Sequence, residues 1–164
     1  MEQKILELLN GIYRVDLIKV EAVTNEMYRC TGAQGEYFAR ITNYKGYDEQ
    51  VEEVAYTNYL HKAGLGVSPT ILSINGQEVE KININNKEVL TVLYEAAPGK
   101  HLSRKEWNAD VLKELGRQIG KLHRISRKFE ETYPTRYIND WHQNEEYAFL
   151  KYIPEEETSI REVA

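Results

Sequence analysis

The hydrophobic periodicity of this 164-residue chain changes at Pro98-Gly99, and this change constrains the fold more than any other feature. Before residue 98, runs that alternate apolar and polar residues dominate, whereas after residue 107 only helical patterns occur. Alternation predicts strands with one buried face, and three- and four-residue spacing predicts amphipathic helices. We therefore expect an α+β protein with a sheet-and-helix domain over residues 1–97 and a helical unit over residues 98–164.

Apolar spacing in the first 97 residues predicts two helices and a five-stranded antiparallel sheet. The helices are predicted over residues 5–12, ended by Asn10-Gly11, and over residues 51–63, ended by Gly64-Leu65-Gly66. Asn75-Gly76 predicts a two-residue hairpin turn, because both positions tolerate positive φ, and Asn85-Asn86 predicts a second turn. The alternating runs, three before the second helix and two or three after it, cover residues 18–22, 27–31, 37–41, 70–74, 78–84 and 89–94.

The second part of the chain predicts helices throughout. Apolar residues repeat at three- and four-residue spacing over residues 112–122. Gly116 and Gly120 lie within this pattern, and a helix-interior glycine costs about 1 kcal/mol relative to alanine. We therefore expect another helix or strand to approach the two glycines closely. A further helix is predicted from residue 139 or 140 to about residue 152.

Composition excludes several classes of protein. With 21 basic and 26 acidic residues the net charge is −5, which argues against nucleic-acid binding as the main role. Cys30 is the single cysteine, so no intramolecular disulfide can form. No apolar run approaches the roughly 20 residues of a membrane helix, and residues 1–4 lack the character of a signal peptide. We therefore expect a soluble cytoplasmic protein that binds neither nucleic acid nor membrane.

Segments from both parts of the chain carry a resemblance to a known family. These segments are Glu36-Tyr37-Phe38-Ala39-Arg40-Ile41, residues 53–60 with Ala63-Gly64 and Pro69, Leu93-Tyr94-Glu95-Ala96-Ala97-Pro98-Gly99, and Leu115-Gly116 with Leu122-His123. In the order and spacing of these segments, the chain resembles the aminoglycoside phosphotransferase and choline kinase superfamily. Its members are protein-kinase-like phosphotransferases that act on small molecules. The resemblance implies a kinase-like N-terminal lobe, with a five-stranded antiparallel sheet plus helix, followed by an incomplete helical C-terminal lobe.

The same resemblance implies transfer of the γ-phosphate of ATP or GTP, with Mg²⁺, to a small-molecule hydroxyl in the full-length parent. Arg40 stands where the family has its phosphate-holding cation, and a guanidinium can bind phosphate in bidentate fashion. Glu53 stands where the family has the glutamate that pairs with this cation, and Glu52 is the competing candidate one residue away. The alternative is that Arg40 binds no ligand and is a solvated strand arginine that pairs with a neighbouring glutamate.

Four further residues are implied to surround the base of the nucleotide. Phe38 leaves the strand on the same face as Arg40, where it would stack on the base or serve as an ordinary core residue. Tyr94 would lie at the back of the pocket. The Glu95 carbonyl and the Ala97 N–H would contact the edge of the base, unless this segment is simply a strand that ends in a turn.

The loop over residues 23–27 contains no glycine, in contrast to the glycine-rich loop of protein kinases. Members of the small-molecule branch often have an asparagine near this position. Thr24 and Asn25 would then face the phosphates together with backbone N–H groups. The alternative is a plain hairpin turn.

The catalytic motif of the family is missing from the sequence. The family base is an aspartate two residues after a histidine, whereas Ala63, Ser103, Ile125 and Asn144 follow the four histidines at that spacing. His123 is expected to be structural, and Asp140 is interpreted as a helix cap rather than a metal ligand. We therefore expect no catalytic or metal-binding residue in this chain, and no phosphotransfer by the chain alone.

Two origins of such a chain remain open: an N-terminal fragment of a kinase, which we favour, or a natural short protein. The partners implied for the parent are the nucleotide and a small-molecule acceptor such as an aminoglycoside, a choline-like amino alcohol or homoserine. No cofactor is needed for folding. We also expect exposed apolar helical surface that supports self-association. The alternative function is a non-catalytic, kinase-like binding or scaffolding module, and a third interpretation is an unrelated small α+β domain.

Overall fold

A computed structural model describes residues 2–133, 137, 153–156 and 158. The chain divides into two compact units, Met1–Pro134 and Thr135–Ala164. The helix predicted over residues 139–152, and with it the interpretation of Asp140 as a cap, lies outside the described residues.

The first unit has mixed α and β structure, as the sequence predicts. In chain order its elements are α1 (Glu2–Ile12), β1 (Leu17–Ala22), β2 (Met27–Gly32), β3 (Gly35–Thr42), α2 (Tyr47–Lys62), β4 (Thr70–Ile71), β5 (Glu80–Ile84), β6 (Lys87–Glu95), a short 3-10 helix (Arg104–Glu106) and α3 (Ala109–Thr132). All strands precede Pro98-Gly99 and α3 follows it. The change in periodicity therefore separates the strands from the long helix.

The sheet of the first unit has six antiparallel strands, one more than the expected five. Its order is β1-β2-β3-β6-β4, and β5 also pairs with β6. The shortest strand, β4, contains only two residues, both within the predicted run 70–74. Because β6 runs next to β3, residues far apart in sequence become neighbours: Phe38 pairs with Tyr94 and Arg40 with Val92.

The face of the sheet on which α1 packs carries the larger apolar core. Ile5 and Leu9 of α1 and Tyr13 just after it are at most 2% exposed, and they belong to a core that includes Ala39 and Leu93 of the central strands. At about 25 cal/mol per Å² of apolar surface, such burial is the main stabilising contribution to the unit.

The opposite face of the sheet packs against α2. Val54 of α2 and Leu90 and Val92 of β6 are buried together. Leu93, the next residue along β6, belongs to the core on the α1 side. This two-residue alternation places Phe38 and Arg40, which stand in phase with each other on β3, on the α2 side of the sheet.

The prediction of a hairpin at Asn75-Gly76 is wrong. A turn does form there, with the Ser73 N–H donating to the Gln77 carbonyl at 2.9 Å, but it joins no hairpin, since β4 and β5 each pair with β6 and not with each other. The Ser73 hydroxyl organises this turn by accepting from the backbone of Asn75 and Gln77, both at 3.1 Å. The two-residue hairpin lies at Asn85-Asn86, where φ is 53° and 63°.

Helix α1 ends at Ile12, as predicted, and the Asn10 side chain holds both the N–H and the carbonyl of Leu17 at 2.9 Å. One further local prediction, at Gly116 and Gly120, differs from the structure. Among the described residues, nothing lies within 4 Å of a Cβ built on Gly116 or Gly120. The close approach expected at these glycines is therefore not present there.

Helix α3 begins at a well-formed cap and packs on α2 near its C-terminal end. The Asn108 side chain accepts hydrogen bonds from the backbone of Asp110 and Val111, which satisfies donors that the first turn leaves unpaired. Phe129 is 2% exposed and lies 5.1 Å, centroid to centroid, from the rings of both Tyr56 and Tyr59 on α2.

Candidate functional site

An ion pair between β3 and α2 is the centre of the candidate site. Nη1 of Arg40 donates to Oε1 of Glu53 at 2.6 Å, and the side chains are 18% and 31% exposed. The predicted contact is therefore present, and it involves Glu53 rather than Glu52. Burial by itself would lower the pKa of Arg40, but the Glu53 carboxylate and Tyr44 raise it, and the net pKa lies above its ordinary value.

Three more side chains surround this pair. Nζ of Lys45 donates to Oε2, the second carboxylate oxygen of Glu53. Nη2 of Arg40 donates to the Tyr44 hydroxyl at 2.5 Å and lies 3.9 Å from Oε2 of Glu26. Sequence reasoning missed Lys45 and Tyr44, because only the path of the chain between β3 and α2 brings them to Glu53 and Arg40.

A cleft of about 320 Å³ opens beside the ion pair. It contains four of the predicted site residues, from β3, α2 and β6, and three residues that the sequence analysis did not single out. The lining residues are Met27, Phe38, Arg40, Glu53, Thr57, Ser68 and Tyr94. Met27 pairs directly with Arg40 on the neighbouring strand, and Thr57 lies one helical turn beyond Glu53. Local spacing carried no signal for these additions.

The two aromatic residues of the cleft are cross-strand neighbours. Phe38 and Tyr94 pair between β3 and β6, and Phe38 is only partly buried at the cleft wall. Of the two alternatives for Phe38, this position fits a cleft residue better than a core residue. Burial, together with the nearby Glu53 carboxylate, raises the pKa of Tyr94 to about 12. Tyr94 therefore keeps its phenolic proton at neutral pH and can donate a hydrogen bond.

The backbone at the end of β6 is held by N–H bonds to two neighbouring segments. The Glu95 N–H donates to the Pro69 carbonyl at 3.0 Å, and proline has no N–H with which to return a bond to the Glu95 carbonyl. Ala96 is held from the other side, because its N–H donates to the Glu36 carbonyl at 3.1 Å. Ala97 follows in the segment that leads to Gly99, where φ is 113°.

The loop between β1 and β2 does not bring its two predicted residues into the cleft. Oγ1 of Thr24 accepts from the N–H groups of Glu26 at 3.3 Å and Met27 at 3.0 Å, so this side chain closes the turn. Asn25 lines a different cavity, of about 450 Å³, that extends to Ile5 of α1. The plain-hairpin alternative therefore describes these side chains better.

The chemistry available in the cleft is that of a binding site for an anionic, aromatic ligand. Arg40 supplies a fixed positive charge, and Phe38 and Tyr94 supply an aromatic wall. Glu95 does not line this cleft but a separate cavity of about 410 Å³ beside Glu36 and Tyr37, and Ala97 lines neither of the two. Within the described residues, no group of three or more His, Cys, Asp or Glu side chains could hold a metal ion. The helices of this part are also too short or too polar to cross a bilayer.

A sheet between two helices, with an arginine–glutamate pair beside a cleft, defines the nucleotide-lobe fold of protein-kinase-like phosphotransferases. The sequence model of the phosphotransferase enzyme family matches residues 17–162. The chain belongs to this family, and the resemblance identified from the sequence is confirmed.

Relatives of known activity agree with this assignment. The amicoumacin kinase of Bacillus subtilis (strain 168) is 27% identical over 139 residues, which are 83% of this chain and 41% of that protein. The structure of amicoumacin kinase hAmiN in complex with AMP-PNP, Ca²⁺ and Ami matches with a TM-score of 0.74 and 25% identity. That match covers 98% of this chain and 50% of the other.

A more distant solved structure shares the fold. Spectinomycin phosphotransferase in complex with ADP and spectinomycin has a TM-score of 0.58 and 17% identity, over 76% of this chain and 38% of the other. The chain therefore spans half or less of the length of the kinases that it matches.

Proposed function

We propose that this chain is the N-terminal part of a kinase that transfers the γ-phosphate of ATP or GTP to a hydroxyl group of a small molecule. The observation that carries the proposal is the Arg40–Glu53 contact at 2.6 Å at the edge of a cleft with an aromatic wall. Phosphoryl transfer depends mainly on positioning of the phosphates and on compensation of their charge. A cation whose orientation is fixed by a helix glutamate contributes to both.

The roles proposed for the site residues are those that membership of the family implies. Arg40 binds phosphate oxygens, and Glu53 orients its guanidinium while linking it to α2. Phe38 and Tyr94 contact the base from the cleft wall. The Glu95 carbonyl, which faces a proline, and the Ala97 N–H bind the edge of the base.

The chemical step is assigned to residues outside this chain. No histidine of the sequence has an aspartate two residues later, as the family base requires, and the described residues offer no cluster of metal ligands. The 164-residue chain by itself is expected to bind nucleotide without transferring phosphate.

The proposed acceptor is a hydroxyl-bearing small molecule. The support is the range of related proteins, which are named as kinases of amicoumacin and aminopropanol and as a phosphotransferase of spectinomycin. The cytoplasm is the proposed compartment, because the nucleotide donor is abundant there and the single cysteine lies in a buried, reduced state.

The experiment that tests the proposal is calorimetric titration of the chain with ATP, GTP and adenosine. We expect saturable binding of ATP or GTP, and a loss of about tenfold or more in triphosphate affinity for Arg40→Ala, because hydrogen bonds to charged groups contribute about 1.5–3 kcal/mol. Arg14→Ala is the matched control, since Arg14 is exposed in the connection after α1, away from the cleft. Equal affinities of Arg40→Ala and the parent chain for ATP and GTP would contradict the proposal.

A second candidate function, a non-catalytic binding module, is favoured by one observation. Leu112, Leu115 and Ile119 of α3 are 52%, 44% and 46% exposed and follow each other at helical spacing. Such a stripe suits contact with another protein surface or with a second copy of the chain. This function would leave the chain without affinity for any nucleotide, and would make its sedimentation behaviour sensitive to Leu115→Glu.

A further inference from the structure

Lys45 shares the carboxylate of Glu53 with Arg40. Arg40 donates to Oε1 at 2.6 Å, and Lys45 donates to Oε2. The Lys45 side chain is 20% exposed, close to the 18% of Arg40, so both cations are drawn inward to the same acid. The remaining acids near the two cations lie farther away, with Glu49 at 3.7 Å from Lys45 and Glu26 at 3.9 Å from Arg40.

The dipole of α2 does not explain the position of Lys45. Lys45 directly precedes Gly46, the N-cap of that helix. The N-terminal end of a helix carries partial positive charge, so a cation there is unfavourable, whereas Asp48 and Glu49 in the first turn are favourable. The contact with Glu53 therefore has another consequence, which lies in the geometry of Arg40.

An arginine and a carboxylate that are left to themselves tend to pair through two parallel hydrogen bonds. Such pairing would engage two N–H groups of the guanidinium with the one carboxylate. With Oε2 occupied by Lys45, Glu53 receives Arg40 through Nη1 alone. Nη2 donates to the hydroxyl of Tyr44, a residue that is 61% exposed, while the nearest further acid, Glu26, lies 3.9 Å from Nη2, beyond hydrogen-bonding distance. A phosphate oxygen can replace such a neutral, exposed acceptor.

We infer that Lys45 is a positioning residue of the nucleotide site: by holding Oε2 of Glu53, it keeps Arg40 singly bonded and leaves Nη2 available to a phosphate oxygen. It also supplies a second positive charge, so that Glu53 does not cancel Arg40 completely. This inference rests on the proposed function, because it assumes that Arg40 binds phosphate.

The experiment compares the affinities of four versions of the chain for ATP and for adenosine by calorimetry. Lys45→Met removes the charge and keeps the length of the side chain, and Lys45→Arg keeps the charge. Lys62→Met is the matched control, because Lys62 is an exposed lysine in the last turn of α2, the helix that Lys45 precedes. We expect Lys45→Met to bind ATP about three- to tenfold more weakly and adenosine unchanged, Lys45→Arg to recover most of the ATP affinity, and Lys62→Met to match the parent chain.

Three outcomes would overturn the inference, and they differ from one another. If Lys45→Met binds ATP as the parent chain does while Arg40→Ala does not, Lys45 is only a surface ion pair. If Lys45→Met lowers the affinities for ATP and for adenosine by the same factor, the substitution distorts the lobe in general. If the parent chain binds no nucleotide at all, the proposed function fails first and the inference falls with it.

Discussion

Arg40 and Glu53 are thirteen residues apart in the chain, yet Nη1 of one lies 2.6 Å from Oε1 of the other. The contact joins the sheet to α2, so the position of the helix and the orientation of the guanidinium depend on each other. Lys45 completes the arrangement from the loop between the two elements. The site is thus a three-residue charge cluster rather than an isolated pair.

The coupling between Arg40 and Glu53 can be measured in the free energy of unfolding. We expect a double-mutant cycle of Arg40→Met and Glu53→Gln to give a coupling of about 1 kcal/mol, because both side chains are partly shielded from water. The control cycle is Lys19→Met with Glu21→Gln, an ion pair at 2.8 Å whose side chains are 62% and 49% exposed. Urea titrations followed by circular dichroism measure both cycles. Equal coupling energies would mean that partial burial does not strengthen the Arg40–Glu53 ion pair.

Gln50 on α2 offers a stabilising substitution. Its side chain is fully buried, and neither amide atom has a hydrogen-bond partner within the described part of the chain. A buried polar group without a partner costs about 1–3 kcal/mol. We expect Gln50→Met to raise the free energy of unfolding by about 1 kcal/mol, and the melting temperature by about 2–4 °C.

The matched control for that substitution is Gln34→Met, since Gln34 is exposed in the turn between β2 and β3. It should leave the melting temperature of the chain unchanged. A melting temperature for Gln50→Met at or below that of the parent chain would mean that the Gln50 amide has a partner, such as an internal water molecule.

Phe129 should hold α3 against α2. It is 2% exposed and lies against the rings of Tyr56 and Tyr59, with the Tyr133 ring at 4.8 Å. We expect Phe129→Ala to lower the free energy of unfolding by about 3–5 kcal/mol, because it removes an aromatic side chain from a closed contact. Leu115→Ala on the exposed side of the same helix should cost less than about 0.5 kcal/mol. Urea denaturation of both variants measures the two changes in the free energy of unfolding. Similar losses for Phe129→Ala and Leu115→Ala would mean that Phe129 does not lie on the face of α3 that packs against α2.

Cys30 should make the stability of the fold depend on alkaline pH. Burial raises the pKa of its thiol from 9.0 to about 11. The unfolded chain therefore loses this proton near pH 9, whereas the folded chain retains it until about pH 11. The contribution of Cys30 to stability is complete below pH 9 and is lost as pH rises through 11.

Cys30→Val isolates the contribution of the thiol from that of the buried tyrosines. We expect the free energy of unfolding of the variant to fall less steeply between pH 9 and 11 than that of the parent chain. In a second measurement, a thiol reagent should react with the parent chain only at the rate of unfolding, because Cys30 is 0% exposed. Parallel stability curves, or rapid labelling of the folded protein, would show that the thiol is accessible.

The strands and helices of the sheet domain were largely predictable because their signals are local. Alternation in residues 37–41 predicts that Phe38 and Arg40 share a face, and the structure places both in the cleft. The turn preferences of Asn75-Gly76 and Asn85-Asn86 were equally local, but strand pairing with β6 decided which of them became a hairpin. A local signal can therefore name a turn without determining which strands it joins.

The sequence by itself determined the order of the elements, the face on which Arg40 stands and the impossibility of a disulfide, since each depends on nearby residues or on a simple count. Only the tertiary structure decided that Lys45 meets Glu53, that Met27 and Ser68 join the cleft, and that Thr24 and Asn25 lie outside it. The physical reason is that these contacts depend on strand order and on the paths of loops. Both result from the packing of the whole unit, for which no spacing along the chain provides a signal.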